Sequence, residues 1–202
     1  STFHMKKRYC LISHTHWDRE WYLPFENFRM RLVDLIDNLL DILKEDKEYR
    51  FHLDAQTIVL DDYLAIRPSK KRELEDHIRH GRILVGPWYV QNDFHLTDQF
   101  GLISQLPQIL YKAGLRDCVF GRGFDRGTTE FFWETEDGSK VLCEHMRFWY
   151  NNAQRLSPDP EGALNLVRNC GRNCTAANCA TGNYLLMNGV DHLEAQEDLT
   201  EI

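Results

Sequence analysis

Apolar and polar positions along this chain switch between a period of about two residues and one of about 3.6, which sets out alternating strands and helices. Arg8-Tyr9-Cys10-Leu11-Ile12 has the composition of a buried strand. Over residues 25–44 apolar side chains recur at helical spacing at Phe28, Leu32, Leu35, Ile36, Leu39, Leu40 and Leu43. Arg29, Arg31, Asp34, Asp37 and Lys44 fill the opposite face, so the segment is an amphipathic helix packing on a core. Residues 49–53 predict a second strand ending at Asp54-Ala55-Gln56, and 58–66 a helix that stops before Pro68. Ser69 opens a further helix that stops near Gly81. Residues 82–86 and 117–120 read as strands, and 102–113 as a helix across Pro107. Residues 130–134 and 140–146 flank Asp137-Gly138-Ser139 as a hairpin. A helix over 160–168 and a strand over 184–187 complete the pattern.

Successive strands end in polar clusters: His16 and Asp18, Asp54 and Gln56, Trp88 and Asp93, Arg122 and Asp125, Asp191 and His192. One site at the carboxyl edge of a mostly parallel sheet accounts for all five. His16 and Asp18 are two residues apart, so in extended chain both point to the same side. Neutral imidazole nitrogen with carboxylate oxygen suits a divalent metal, zinc best. The alternative is a histidine closing a strand and an aspartate capping the next helix. Pro87-Trp88-Tyr89-Val90-Gln91-Asn92-Asp93 has the composition of a carbohydrate site, and equally of an exposed loop with aromatic anchors.

Composition narrows the classes. A net charge of −7 over 202 residues gives no attraction for nucleic acid or an anionic membrane. There is no apolar run long enough to span a bilayer, and no basic stretch leading into an apolar one. Residues 1–4 read as a remnant before a natural start at Met5-Lys6-Lys7, and the expected location is cytoplasmic. Cysteines there stay reduced. Cys10, Cys118 and Cys143 fall in strands as inert core thiols, and Cys170, Cys174 and Cys179 match no zinc-knuckle spacing. The chain contains neither a Gly-rich phosphate loop nor a nucleophile elbow.

Seven ordered pieces carry a family resemblance. They are His14-Thr15-His16-Trp17-Asp18-Arg19-Glu20-Trp21, Phe51-His52-Leu53-Asp54-Ala55-Gln56, Gly86-Pro87-Trp88-Tyr89-Val90, and Phe100-Gly101 running into Ser104-Gln105-Leu106-Pro107-Gln108-Ile109-Leu110. Phe131-Phe132-Trp133-Glu134, Asp137-Gly138-Ser139 and Leu186-Met187-Asn188-Gly189-Val190-Asp191-His192 follow. In these the chain resembles the amino-terminal catalytic domain of the glycoside hydrolase family 38 α-mannosidases, of the bacterial cytoplasmic type. The resemblance implies an α/β fold: a distorted β/α barrel on a seven-stranded, mostly parallel sheet, incomplete here. Residues 5–202 are then part of the N-terminal catalytic domain of a longer glycosidase. It further implies zinc-assisted, retaining hydrolysis of terminal α-mannosyl residues in oligosaccharides or N-glycan fragments, with one zinc per site. On the family pattern His16 and Asp18 are metal ligands, Trp21 packs on the sugar, Arg122 is an active-site arginine and Asp191 reaches the sugar hydroxyls. A part of a larger protein also exposes apolar surface through which it can form a homo-oligomer.

The departures from the pattern are specific. The family nucleophile, also a metal ligand, is an Asp in a Pro-Asp-x-Phe-Gly context, whereas here Asp98-Gln99 runs straight into Phe100. A helix and strand carrying that nucleophile are absent, and Asp98 aligns with an earlier segment, so it does not take over the role. The family's fourth ligand, a histidine, comes from a region beyond residue 202. The acid/base carboxyl falls near Tyr150-Asn151-Asn152, where this chain has amides, which leaves Asp125 and Asp159 as weak substitutes. Two other readings stay open. One is a glycan deacetylase-like hydrolase that activates a metal-bound water; the other is a non-catalytic module that binds sugar or metal.

Overall fold

The structure, a computed structural model, describes residues 7–90, 104–124 and 127–202. It holds β1 (Arg8–Ser13), α1 (Phe25–Glu45), β2 (Phe51–Gln56), α2 (Ile58–Leu64), α3 (Lys71–Arg79), β3 (Ile83–Trp88), α4 (Leu106–Lys112), β4 (Asp117–Phe120), β5 (Glu130–Glu134), β6 (Lys140–His145), α5 (Pro160–Ala176) and β7 (Asn183–Asn188). The chain divides into two compact units. One, the helical unit, comprises Leu11–Gln91, Ala153–Ala163 and Met187–Ile202; the other, the hairpin unit, comprises Ser1–Cys10, Asn92–Asn152 and Leu164–Leu186.

The helical unit is organised by α1. Phe28, Leu32, Leu35, Ile36, Leu39, Leu40 and Leu43, the face the spacing picked out, are all buried. They pack with Tyr49, Phe51 and Leu53 around β2, Val59 and Tyr63 of α2, Leu74 of α3 and Ile83 of β3. Each such side chain contributes roughly 1.5–3 kcal/mol. Arg82 closes the end of α1: its guanidinium donates to the carbonyls of Leu43 (2.7 Å) and Asp46, which the helix itself leaves unpaired. β2 and β3 run parallel, from Phe51 opposite Ile83 to Gln56 opposite Trp88, with two register irregularities between. β1 pairs with β7, and reaches β2 through the bridge between His14 and His52.

In the hairpin unit β4 lies parallel to β6, with Cys118 opposite Cys143, and β5 runs antiparallel on the other side of β6. The β5–β6 turn is held by the Asp137 carboxylate, which accepts from the Ser139 amide (3.0 Å) and the Thr135 hydroxyl (2.8 Å). Gly138 supplies the positive φ, 79°, that this turn needs.

The structure is a mixed α/β fold, and it corrects the expected architecture. Among the described residues the seven strands form three separate sheets of two, two and three strands; there is neither a barrel nor a seven-stranded sheet. The physical reasons are local. β5 is joined to β6 by a tight turn, so it can only pair antiparallel, and β1 meets β2 at a single bridge instead of a ladder. β1 is also less buried than its composition suggested, with Tyr9 and Leu11 each 38% exposed. α5 continues beyond Arg168 to Ala176 and so takes in Cys170 and Cys174. Asp93, Asp98, Phe100, Gly101 and Asp125 lie outside the described residues.

Candidate functional site

The chain leaving β1 is drawn against the chain leaving β7. The His14 amide donates to Asn188 O (3.1 Å), the His16 amide to Val190 O (3.4 Å), and the His192 amide returns to His16 O (2.9 Å). His16 and Asp191 thereby form a parallel bridge. Gly189 makes this approach feasible, because a Cβ there would collide with the His14 carbonyl. Of the residues expected at the site, His16, Asp18 and Asp191 are brought together in this way.

His16 is 5% exposed, while the Asp18 side chain is 36% exposed. His16 Nε2 stands 3.5 Å from Asp18 Oδ1. That is long for a charge-assisted hydrogen bond, typically about 2.7–2.9 Å. It matches two ligands on one tetrahedral ion, which at about 2.1 Å from the metal sit about 3.4 Å apart. The pair therefore fits two positions of a zinc site. No group of three or more His, Cys, Asp or Glu able to hold a metal occurs among the described residues, so the remaining positions are not filled from them. On the other side of the ring, His16 Nδ1 lies 3.7 Å from Asp54 Oδ1. Burial pulls the His16 imidazole down, but the Asp18 and Asp54 carboxylates outweigh it and raise the group to about 10. The pocket thus favours a cation, whether a proton or a metal.

Two neighbours that the sequence grouped with these residues do structural work. Trp17 is 2% exposed and belongs to the core. His192 stacks on Phe28 (4.3 Å between centroids), meets Trp17 edge-on (4.8 Å) and lies 3.0 Å from the backbone oxygen of Asp18 through Nε2. Its ring lines a cleft of about 980 Å³ together with Arg31, Arg155 and Glu194. Arg19 holds the loop after Asp18 by a two-point bridge to Asp62, at 2.6 and 2.8 Å.

Trp21 is 65% exposed with Tyr22 tilted beside it at 5.5 Å, an aromatic surface open to a ligand. Arg122 belongs to the hairpin unit, where it lies over the Trp149 ring at 4.5 Å. Trp149 itself adopts φ 71°, unusual for a bulky side chain. Asn152 spends its amide on the Leu185 carbonyl (3.0 Å). Asp159 caps α5, accepting from the Gly162 amide at 2.8 Å.

Asp54 and Gln56 were visible in the sequence only as polar residues at a strand end. In the structure both are 3% exposed and tie β2 to the backbone of Trp17. The available signal was strand alternation, which puts His52, Asp54 and Gln56 on one face; in the structure Asp54 and Gln56 are buried and His52 partly so.

Comparison with known proteins now bears on this geometry. The family described as "Glycosyl hydrolases family 38 N-terminal domain" matches residues 6–97 and 94–201. A protein of Halalkalibacterium halodurans named "Putative mannosylglycerate hydrolase" is 36% identical over 246 aligned residues, covering 98% of this chain and 27% of its own. An α-mannosidase from Enterococcus faecalis V583 superposes with a TM-score of 0.90 at 35% identity, over 97% of this chain and 26% of that one. A second family 38 protein from Enterococcus faecalis gives 0.72 at 30%, over 92% and 24%. The chain thus spans about a quarter of the length of these relatives. The family match falls into two segments, 6–97 and 94–201, that overlap at 94–97. The alignment to the bacillar relative is longer than the 202 residues present here, so that relative carries residues with no counterpart in this chain. On its matched residues the chain belongs to glycoside hydrolase family 38, as its N-terminal domain.

Proposed function

We propose that this chain is the sugar-gripping part of a zinc-assisted α-mannoside hydrolase, with His16 and Asp18 as its two metal ligands. The observation that carries the reading is the 3.5 Å convergence of His16 Nε2 and Asp18 Oδ1 at a strand end, with Asp191 bridged alongside. A bound zinc would act as a Lewis acid and orient adjacent hydroxyls of the sugar. Around it the chain's own groups would bind: Trp21 offers an apolar ring face and Asp191 accepts from sugar hydroxyls. Asp18, half in water, faces the ligand side, while buried His16 is held from behind. The names of the relatives point to α-linked mannose, mannosylglycerate included, as the substrate class.

In the longer family protein the reaction is retaining hydrolysis of terminal α-mannosyl residues, through a carboxylate nucleophile with a second carboxyl group about 5–5.5 Å away. We place the protein in the cytoplasm; no helix among the described residues is long and apolar enough to cross a membrane. The 202-residue chain binds without turning over, a second reading favoured by the break in the family match at 94–97.

Titration with methyl α-mannoside, with and without zinc, tests this beside an assay for aryl α-mannoside cleavage. Binding should depend on zinc, vanish in His16→Ala, and occur without aryl release. Zinc-independent binding sinks the metal role. Chelator-sensitive cleavage shows that a nucleophile is present in this chain after all, and acetate release from an acetylated glycan identifies a deacetylase instead.

A further inference from the structure

We propose that Asp54 is a positioning residue for the metal at His16: its carboxylate accepts the His16 Nδ1 proton and so turns the Nε2 lone pair toward the ion. This rests on reading His16 and Asp18 as metal ligands, and assigns a role to a buried carboxylate on a different strand.

A carboxylate 3% exposed is costly to bury unless its oxygens are matched by donors. Asp54 Oδ2 accepts from the Trp17 amide (2.9 Å) and from Gln56 Nε2 (3.0 Å). Gln56 is itself anchored, since the same Nε2 donates to the Trp17 carbonyl at 2.6 Å. Oδ1 accepts from the Ala55 amide at 2.6 Å and faces His16 Nδ1 at 3.7 Å. Clamped from both sides, the carboxylate cannot rotate away, and Oδ1 is held toward the imidazole. The ring therefore sits between two carboxylates: Asp18 at Nε2, Asp54 at Nδ1. An imidazole that ligates through Nε2 carries its proton on Nδ1, and an acceptor there sets both tautomer and ring orientation. At 3.7 Å Oδ1 stands just outside hydrogen-bond range of Nδ1, and the bond forms as the ring turns its Nε2 to the ion.

A purely structural Asp54, tying Trp17 to Gln56, would leave the metal unaffected. Asp54→Asn separates the two roles at nearly constant volume. The Trp17 amide and Gln56 would pin the new amide oxygen in the Oδ2 position, leaving its NH2 to face His16 Nδ1. Nδ1 could then only accept, and the imidazole proton would move to Nε2, the nitrogen the ion needs.

The test is a Zn2+ titration of the 202-residue chain, followed by the long-range 1H–15N signals of the His16 ring, assigned through His16→Ala. In the wild type Nε2 should show metal binding while Nδ1 stays protonated. In Asp54→Asn the Zn2+ affinity should fall 10- to 100-fold, while the thermal midpoint falls modestly because the Ala55 amide loses its Oδ1 acceptor. Gln56→Ala keeps the carboxylate but loosens its clamp, and should weaken Zn2+ by a smaller factor; it carries the test if Asp54→Asn does not fold. Equal Zn2+ affinity in the wild type and the folded variant overturns the positioning role and leaves the metal reading intact. A wild-type His16 ring that ignores Zn2+ overturns both.

Discussion

At the end of β2 the protein buries a carboxyl group and on β6 it half-buries another, and the two have different surroundings. Asp54, in the helical unit, is surrounded by the Trp17 and Ala55 amides and the Gln56 side chain. Glu144, in the hairpin unit, lies directly across the β5–β6 pair from Glu130. Like charges in that position repel. Glu130 is already committed to the Ala180 amide (2.6 Å), the Thr181 hydroxyl and the Cys179 thiol. Burial first, and the Glu130 charge second, push Glu144 up to about 8. Donors alone do not mark a site, since Glu130 collects them too; what sets Asp54 apart is that its Oδ1 faces an imidazole.

Substitutions in the two units separate these effects. The largest effect is expected for Gly189→Ala, whose methyl group meets the His14 backbone. It should lower stability by about 3 kcal/mol, the upper end for forced overpacking, and disturb His16 while leaving the hairpin unit alone. Denaturant unfolding and the His16 signals check both. Asp54→Ala strips the Trp17 amide and Gln56 of their acceptor and should cost about 2 kcal/mol, measured by urea titration.

Glu144→Gln should go the other way. With a folded-state value near 8 against about 4.5 in the unfolded chain, the native state binds the extra proton between those values. Stability therefore falls as pH rises from about 4.5 to 8, and the penalty is complete above 8. Removing it should raise stability at pH 8 by about 1–2 kcal/mol, after discounting for partial solvent exposure, and flatten that part of the pH profile. A stability profile unchanged by the substitution would erase the contrast with Asp54. The smallest effect is expected for Asp159→Ala, which removes the α5 cap at a cost of about 1 kcal/mol in thermal unfolding.

Elements ruled by periodicity were legible in the sequence. The buried face of α1 coincides with the spaced apolar positions, and the 137–139 turn marks its hairpin. Pairing between strands was not, because neither the single His14–His52 bridge nor the register shifts of β2 leave a trace in the local pattern. Spacing and chemistry singled out His16 and Asp18, whose side chains lie 3.5 Å apart in the structure. Trp17 and Trp21 looked alike in sequence and separated only on folding, one into the core and one into water. Asp54 was missed as a partner of His16 because its neighbours Trp17 and Gln56 converge on it only when β2 lies beside the end of β1.

That separation of Trp17 and Trp21 gives the molecule two built-in optical probes four residues apart in the chain. Trp21, bathed in solvent, should be quenched by iodide and respond when a sugar covers its ring. Trp17, sealed beneath His192 and tied through its backbone to Asp54 and Gln56, should be dark to iodide until the end of β1 opens. With Trp88, Trp133 and Trp149 replaced by Phe, light from this one segment can report ligand arrival and local unfolding as separate events.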